Sequence, residues 1–239
     1  MKFDEFKEEM NKQIKSLQIK LNEEQMKAFY NFMNLLIEKN KVMNLTGITE
    51  PKEVILKHFI DSLTISKYIK NNKKVIDVGT GAGFPGVPLK IQNNSLEICL
   101  LDSLNKRISF LDEVIEENNI MRIEAIHGRA EEFGQNKEYR EQFDYAVSRA
   151  VAPLNILLEY MLPFVNIGGM CICMKGNLSE DELKESKNAI NILGGELKKT
   201  ERFQLADTEN KRTIILVKKT RNTPGNYPRN SGTPSKKPL

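Results

Sequence analysis

The run from Lys73 to Leu89, KKVIDVGTGAGFPGVPL, constrains the fold more than any other part of the chain. Val75, Ile76 and Val78 read as a short buried strand that breaks at Gly79. Gly79, Gly81, Gly83 and Gly86 then fall within eight positions, and Gly86-Val87-Pro88-Leu89 is ready to start a helix. A strand, a glycine-rich turn and a helix present backbone N–H groups to a nucleotide-like ligand in doubly wound α/β domains. The glycines allow positive φ and let a ligand approach the backbone without meeting a Cβ.

The pattern downstream of Lys73 alternates. Strands are expected at Val75–Val78, Leu96–Leu101, Ile123–His127, Phe143–Ser148 and Met170–Met174, with helices at Gly86–Gln92, Lys106–Glu117, Ala130–Phe133 and Leu154–Val165 between them. A helix follows the Ser179 cap and runs to about Leu193. Glu196–Leu205 and Thr213–Val217 then form a strand pair joined by a polar hairpin, Asp207-Thr208-Glu209-Asn210. Repeated βα units imply a parallel sheet covered by helices on both faces, and the closing pair implies an antiparallel edge. Residues 1–70 look helical instead. Asn22 and Gln25 form a capping box ahead of Met26, Phe29, Met33, Leu36 and Ile37, which recur on one helical face. Pro51 opens a further helix carrying His58 and Asp61, three residues apart. Three regions are therefore expected: a helical extension at 1–70, an α/β domain at 71–219 and a tail at 220–239.

Charge singles out the tail. The chain has a net charge of +4, yet residues 218–239 hold Lys218, Lys219, Arg221, Arg229, Lys236, Lys237 and no acid. The rest of the chain is slightly acidic, so the tail suggests either a polyanionic partner or a solubilising segment. Cys99, Cys171 and Cys173 sit in apolar strand-like runs without zinc spacing, the pattern of reduced buried cysteines and no metal. No apolar run reaches the ~20 residues of a membrane span. The charged N-terminus lacks a signal-peptide core, so a cytoplasmic location and no membrane association are expected.

Two ligands fit the glycine loop in outline: a dinucleotide and S-adenosylmethionine. Asp102, at the end of the second strand, suits the ribose hydroxyls of either. The spacing Gly79-x-Gly81-x-Gly83 is not that of a pyrophosphate turn, and Asp77 immediately before it would repel a pyrophosphate while attracting a ligand that carries an ammonium and a sulfonium. The alternative role for Asp77 is a cap on the loop. S-adenosylmethionine is favoured. Arg129, in Gly128-Arg129-Ala130-Glu131, and Arg149, in Ser148-Arg149-Ala150-Val151-Ala152-Pro153, each end a strand on the ligand side.

The chemistry narrows by elimination. Methylating an exocyclic base nitrogen uses an Asn/Asp-Pro-Pro-aromatic loop after the fourth strand, where Ser148-Arg149-Ala150 stands. Methylating cytosine carbon needs an exposed, activated cysteine. Guanine N7 already offers an in-plane lone pair and needs no general base, so positioning and exclusion of water suffice. An arginine-rich site is compatible with guanine, whose N7 and O6 accept a bidentate Arg.

The strings DVGTGAGFPGVPL (77–89), LLDSLNKRISFLDEV (100–114), GRAEE (128–132), SRAVAPL (148–154), KG (175–176), NLTGI (44–48), HFIDSL (58–63) and YPRNSGTPSKKPL (227–239) resemble the bacterial guanine-N7 methyltransferases of 16S ribosomal RNA, the glucose-inhibited division protein B family. The similarity covers essentially the whole chain in order. It implies a class I, Rossmann-like methyltransferase fold, a mostly parallel seven-stranded sheet with an antiparallel edge and an N-terminal helical extension. It also implies S-adenosyl-L-methionine as methyl donor, S-adenosyl-L-homocysteine as product, and 16S rRNA or the small ribosomal subunit as partner. Cofactor contacts implied by the resemblance are Gly79, Phe84, Ala130, Glu131 and Arg149, to which the residue reading adds Gly81 and Asp102. Arg149 is the expected catalytic residue, and Lys106, Arg107, Arg129, Arg229 and Lys236 are the expected RNA contacts. Asn230 departs from the family's ending, where a basic residue is common. Nothing demands a dimer, so a monomer is expected. The rival readings are a methyltransferase for a protein or small molecule, and an RNA-binding module without catalysis.

Overall fold

A computed structural model of the chain describes residues 1–149, 152–205 and 208–239. Helices α1 (Phe3–Ile14) and α2 (Glu23–Met43) open the chain. The capping box at α2 is reciprocal: Asn22 Oδ1 accepts from the Gln25 N–H at 2.8 Å and Gln25 Oε1 accepts from the Asn22 N–H at 2.9 Å. After α3 (Pro51–Val54) the expected regular helix does not continue. Ile55–Ile60 is one wide π-helical turn, followed by α4 (Asp61–Leu63) and a 3₁₀ turn at Ser66–Tyr68. Such turns free backbone carbonyls and recur at functional sites.

The α/β body follows as β1 (Lys74–Val78), α5 (Gly86–Gln92), β2 (Glu97–Asp102), α6 (Asn105–Glu117), β3 (Ile123–His127), α7 (Ala130–Phe133), β4 (Phe143–Arg149), α8 (Leu154–Met161), β5 (Val165–Lys175), α9 (Glu180–Ile192), β6 (Gly195–Gln204), β7 (Lys211–Lys219) and a final α10 (Thr233–Lys236). The expected helix to Val165 stops at Met161 because Pro163 cannot donate to a continuing ladder, and Leu162–Phe164 tightens into a 3₁₀ turn. The sheet order is β3-β2-β1-β4-β5-β7-β6. The β1–β2, β1–β4, β2–β3 and β4–β5 pairs are parallel, and β7 is antiparallel to both β5 and β6. Topology reverses between β1 and β4, so the crevice opens at the carboxyl ends of these strands.

Period-two alternation divides the core between the two faces. Val75, Ile98, Leu100, Val147, Ile172, Ile214 and Leu216 join one cluster with α1, α2 and the π-turn residues Ile55, Phe59 and Ile60. Ile76, Val78, Cys99, Leu101, Ala146, Cys171, Cys173, Ile215 and Val217 join the other with α8 and α9. The first 70 residues therefore cover one face of the sheet and share its core. They carry His58 and Asp61 to the crevice as part of that packing.

The tail is laid against the body. Lys219 is fully buried, its Nζ donating to the Leu162 carbonyl at 2.6 Å and lying 3.2 Å from Glu141. Arg229 forks onto the carboxylate of the fully buried Glu159, with Nε 2.9 Å from Oε1 and Nη2 2.5 Å from Oε2. The basic tail is anchored on the body, because burying Glu159 requires a cation and the tail supplies it. Arg229→Ala is expected to cost about 3–5 kcal/mol, the penalty for orphaning a buried charge. Denaturant unfolding measures it, and a loss below about 1 kcal/mol would show that Arg229 is not a structural latch.

Candidate functional site

The glycine turn is held from beneath. Asp77, on β1, is completely buried; its Oδ2 accepts from Thr80 Oγ1 at 2.7 Å and from the Gly86 N–H at 2.8 Å, while Oδ1 has no partner. It lines neither of the two cavities described below. The expectation that Asp77 faces a cationic ligand is therefore corrected: it ties the turn to the start of α5. Gly86 is required for this packing, since a Cβ there would lie 2.3 Å from Leu100 Cδ2 and 2.9 Å from Asp77 Oδ2. Gly81 has φ +63°, and nothing lies within 4 Å of where its Cβ would stand.

Burial pushes the Asp77 carboxyl up to about 7, against the donors from Thr80 and Gly86 that favour its charge. A carboxyl raised on folding contributes stability below its unfolded value of 3.8 and loses it as pH rises through about 7. The Asp77 contribution to stability should fall between about pH 4 and pH 7, against the rise that the lowered His58 contributes over much of the same range. With the Asp77 contribution removed, stability in Asp77→Asn should rise more, or fall less, across that range than in the wild type when unfolding midpoints are compared. Identical pH profiles for the two proteins would refute the assignment.

Two cavities share one wall. The larger, about 440 Å³, is lined by Leu45, Thr46, His58, Phe84 and Arg149, by Gly79–Ala82, and by Asp102, Ser103 and Arg107. The smaller, about 160 Å³, is lined by Val78, Gly79, Leu101, Asp102, Ser103, Tyr160 and the turn Gly128–Glu131. Gly79, Asp102 and Ser103 belong to both, so the two form a continuous trough along the carboxyl ends of β1, β2 and β3. Asp102 stands at its middle. Its Oδ2 accepts from the Gly81 N–H at 2.9 Å and its Oδ1 from the Leu104 N–H at 2.9 Å. Arg107 Nη1 lies 3.1 Å from Oδ2. Arg107, expected to meet RNA, is thus engaged with Asp102.

At one end of the trough Arg149 is 15% exposed and surrounded by partners. Its Nη1 donates to the Lys57 carbonyl at 3.0 Å, in the π-turn, and to Asp61 Oδ2 at 3.2 Å. Its Nη2 donates to His58 Nδ1 at 3.1 Å, and its guanidinium sits 5.0 Å from the Phe84 ring centre. Phe84 in turn stacks on His58 at 4.4 Å and 14°. Asp61 Oδ1 accepts from Arg212 Nε at 2.9 Å, an ionic contact from β7 that nothing in the local sequence signals. His58 is held neutral: burial, then the Arg149 charge, brings it down to about 3. Ala150 and Val151, just beyond Arg149, lie outside the described residues, as does Asp207 of the β6–β7 hairpin.

At the other end, Glu131 is buried and its Oε1 accepts from the Gly232 N–H of the tail at 3.0 Å. Tyr160, which lines the same cavity, meets Ser235 at 3.0 Å. The tail thus braces this end of the trough. Ala130 and the exposed Arg129 line it too. Among the other expected RNA contacts, Lys106 is exposed and donates to the Met43 carbonyl at 2.8 Å. Lys236 is exposed at the end of α10, and the half-buried Arg229 is paired with Glu159.

At the trough Asp102, Glu131 and Arg149 are committed to protein partners and His58 is kept neutral. The cysteines lie inside the sheet; burial holds the Cys173 thiol up at about 12 and raises Cys99 and Cys171 as well. Among the described residues, no group of three His, Cys, Asp or Glu could hold a metal ion.

Comparison with known proteins adds the following. Residues 24–215 match the family model described as rRNA small subunit methyltransferase G. The chain is 48% identical to the ribosomal RNA small subunit methyltransferase G of Alkaliphilus oremlandii (strain OhILAs), over 98% of this chain and 99% of that one. It is 51% identical to the protein of the same description from Acetivibrio thermocellus, over 92% of this chain and 91% of that one. Among solved structures, M. jannaschii TYW2 in complex with AdoMet superposes with a TM-score of 0.55 at 15% identity, over 67% of this chain and 76% of that one, a likeness of fold.

Proposed function

We propose, starting from the fact that this chain belongs to the rRNA small subunit methyltransferase G family, that it methylates N7 of a guanine in 16S rRNA at the trough above β1 and β4. S-adenosyl-L-methionine, when bound, supplies an electrophilic methyl on a sulfonium. The observation that carries the reading is the absence of a free base among the described residues of the larger cavity. His58 is neutral with both ring nitrogens engaged. Asp102 accepts from the Gly81 and Leu104 N–H groups and pairs with Arg107, the neighbouring Asp61 is clasped by two arginines, and the thiols are buried inside the sheet. Attack by an atom that must first lose a proton has no acceptor there. A nucleophile with its own lone pair needs none.

The residues fit the methyl donor. Open space over Gly81 admits a ligand against the backbone. Gly79, Gly81, Phe84 and Asp102 line the middle of the trough, with Ala130 and Glu131 at its adenine end. At the other end the Arg149 guanidinium lines the cavity and is the cation offered to the methyl donor's carboxylate. Lys106, Arg129 and Lys236 supply phosphate contacts around the mouth, and the partner is 16S rRNA or the small ribosomal subunit.

Incubation with isotope-labelled S-adenosyl-L-methionine and undermethylated small subunits, free rRNA or total protein tests the reading. Label is expected in RNA alone. Label on protein, or on nothing, would refute it, and calorimetric titration with the methyl donor separates a failure to bind from a failure to transfer.

A further inference from the structure

The hydrogen bonds around His58 fix the direction of every proton in the chain that ends at the larger cavity. An arginine side chain only donates. Because Arg149 Nη2 contacts His58 Nδ1 at 3.1 Å, Nδ1 carries the lone pair and the neutral ring bears its proton on Nε2. That nitrogen lies 2.8 Å from Thr46 Oγ1 and therefore donates to it. Thr46 Oγ1 also accepts from the Ile48 N–H at 3.0 Å. A hydroxyl has two lone pairs and one proton. Both lone pairs are occupied, so Thr46 can act only as a donor, and among the described residues nothing accepts its proton. Thr46 lines the larger cavity beside Phe84 and Arg149.

We propose that the Thr46 hydroxyl donates to O6 of the target guanine and selects guanine over adenine, with His58 as the positioning residue that makes Thr46 a donor only. The proposal rests on the guanine-N7 reading above and names the group that recognises the base. Methylation at N7 requires that its lone pair stay free, so a bidentate arginine on N7 and O6, the usual way to read a guanine, would block the reaction. A single donor at O6 recognises the same edge and leaves N7 available. Adenine places an amino donor at that position, and a hydroxyl with no free lone pair cannot accept from it. Arg149 is thereby assigned away from the base edge: it orients His58 and reaches the methyl donor's carboxylate.

Thr46→Val keeps the shape and removes the hydroxyl, and Thr46→Ser restores it. Affinity for S-adenosyl-L-methionine, measured by calorimetry, is expected to stay within about twofold in Thr46→Val. On undermethylated small subunits kcat/KM is expected to fall about tenfold to a hundredfold, the range set by one lost recognition hydrogen bond, with Thr46→Ser within about threefold of the wild type. In the unmutated protein, ¹⁵N spectra should show the His58 proton on Nε2, a readout independent of folding of any variant. A proton on Nδ1, a loss of cofactor affinity matching the loss of rate, or an active Thr46→Val would each overturn the proposal. A wild type that binds the cofactor and shows the expected His58 signature but leaves guanine N7 untouched would instead overturn the functional reading on which it rests.

Discussion

Arg149→Ala is expected to lower kcat/KM for methyl transfer about 10²–10³-fold, while the fold loses less than the 3–5 kcal/mol usual for a broken buried ion pair. The asymmetry follows from the partners. Asp61 keeps a second cation when Arg149 is removed, because Arg212 Nε remains 2.9 Å from its other oxygen. No uncompensated charge is left in the core. The site, by contrast, loses the contact that fixes the His58 tautomer, the cation over the Phe84 ring and, on the proposed reading, the donors for the methyl donor's carboxylate. Arg149→Lys should recover stability better than rate, since an ammonium cannot reproduce the planar fork. Steady-state kinetics beside denaturant unfolding distinguish the outcomes. Rate and stability falling in proportion would make Arg149 a structural residue.

The second large effect concerns the turn. Gly81→Ala should raise the dissociation constant for S-adenosyl-L-methionine at least about tenfold, which corresponds to about 1.4 kcal/mol. The added methyl meets no protein atom within 4 Å, so its cost to the free protein is confined to a non-glycine residue at φ +63°, about 1–2 kcal/mol. What it does occupy is the space over the turn. Gly83→Ala makes the contrasting control. There the new Cβ would stand 2.7 Å from Val87 Cγ2 and 2.8 Å from Leu111 Cδ2, so stability falls first and ligand binding only as a consequence. Unchanged affinity in a folded Gly81→Ala protein would move the ligand elsewhere.

The body of the fold is legible in the sequence because glycine and proline punctuate it. Gly86–Gln92, Ile123–His127 and Ala130–Phe133 have in the structure the limits read from the residues alone. The alternation in Val75–Val78 and its neighbours also assigns side chains to the two faces. What escapes is whatever depends on a distant partner. The helix after Pro51 looks regular, yet its turn at Ile55–Ile60 widens where the Lys57 carbonyl meets Arg149, 92 residues away. Asp77 reads as a ligand-facing acid because the donors that claim it, Thr80 and Gly86, are revealed only by the closing of the turn. The tail reads as free positive charge because Glu159, which holds Arg229, is an unremarkable residue on an apolar helix. Thr46 belongs to a string that carries the family resemblance, but its role as a donor emerges only when the His58 contacts on both ring nitrogens are known together.

The central claim, a guanine nucleophile that needs no base, is tested most directly by chromatography and mass spectrometry of nucleosides from 16S rRNA treated with the enzyme and S-adenosyl-L-methionine. About one N7-methylguanosine per rRNA is expected, with no other new methylated nucleoside. Methyl groups on an exocyclic amine, a pyrimidine carbon or a ribose hydroxyl would contradict it, since each of those requires a proton acceptor or thiolate nucleophile, and the acceptors among the described residues lining the larger cavity, His58 and Asp102, are already engaged by protein groups.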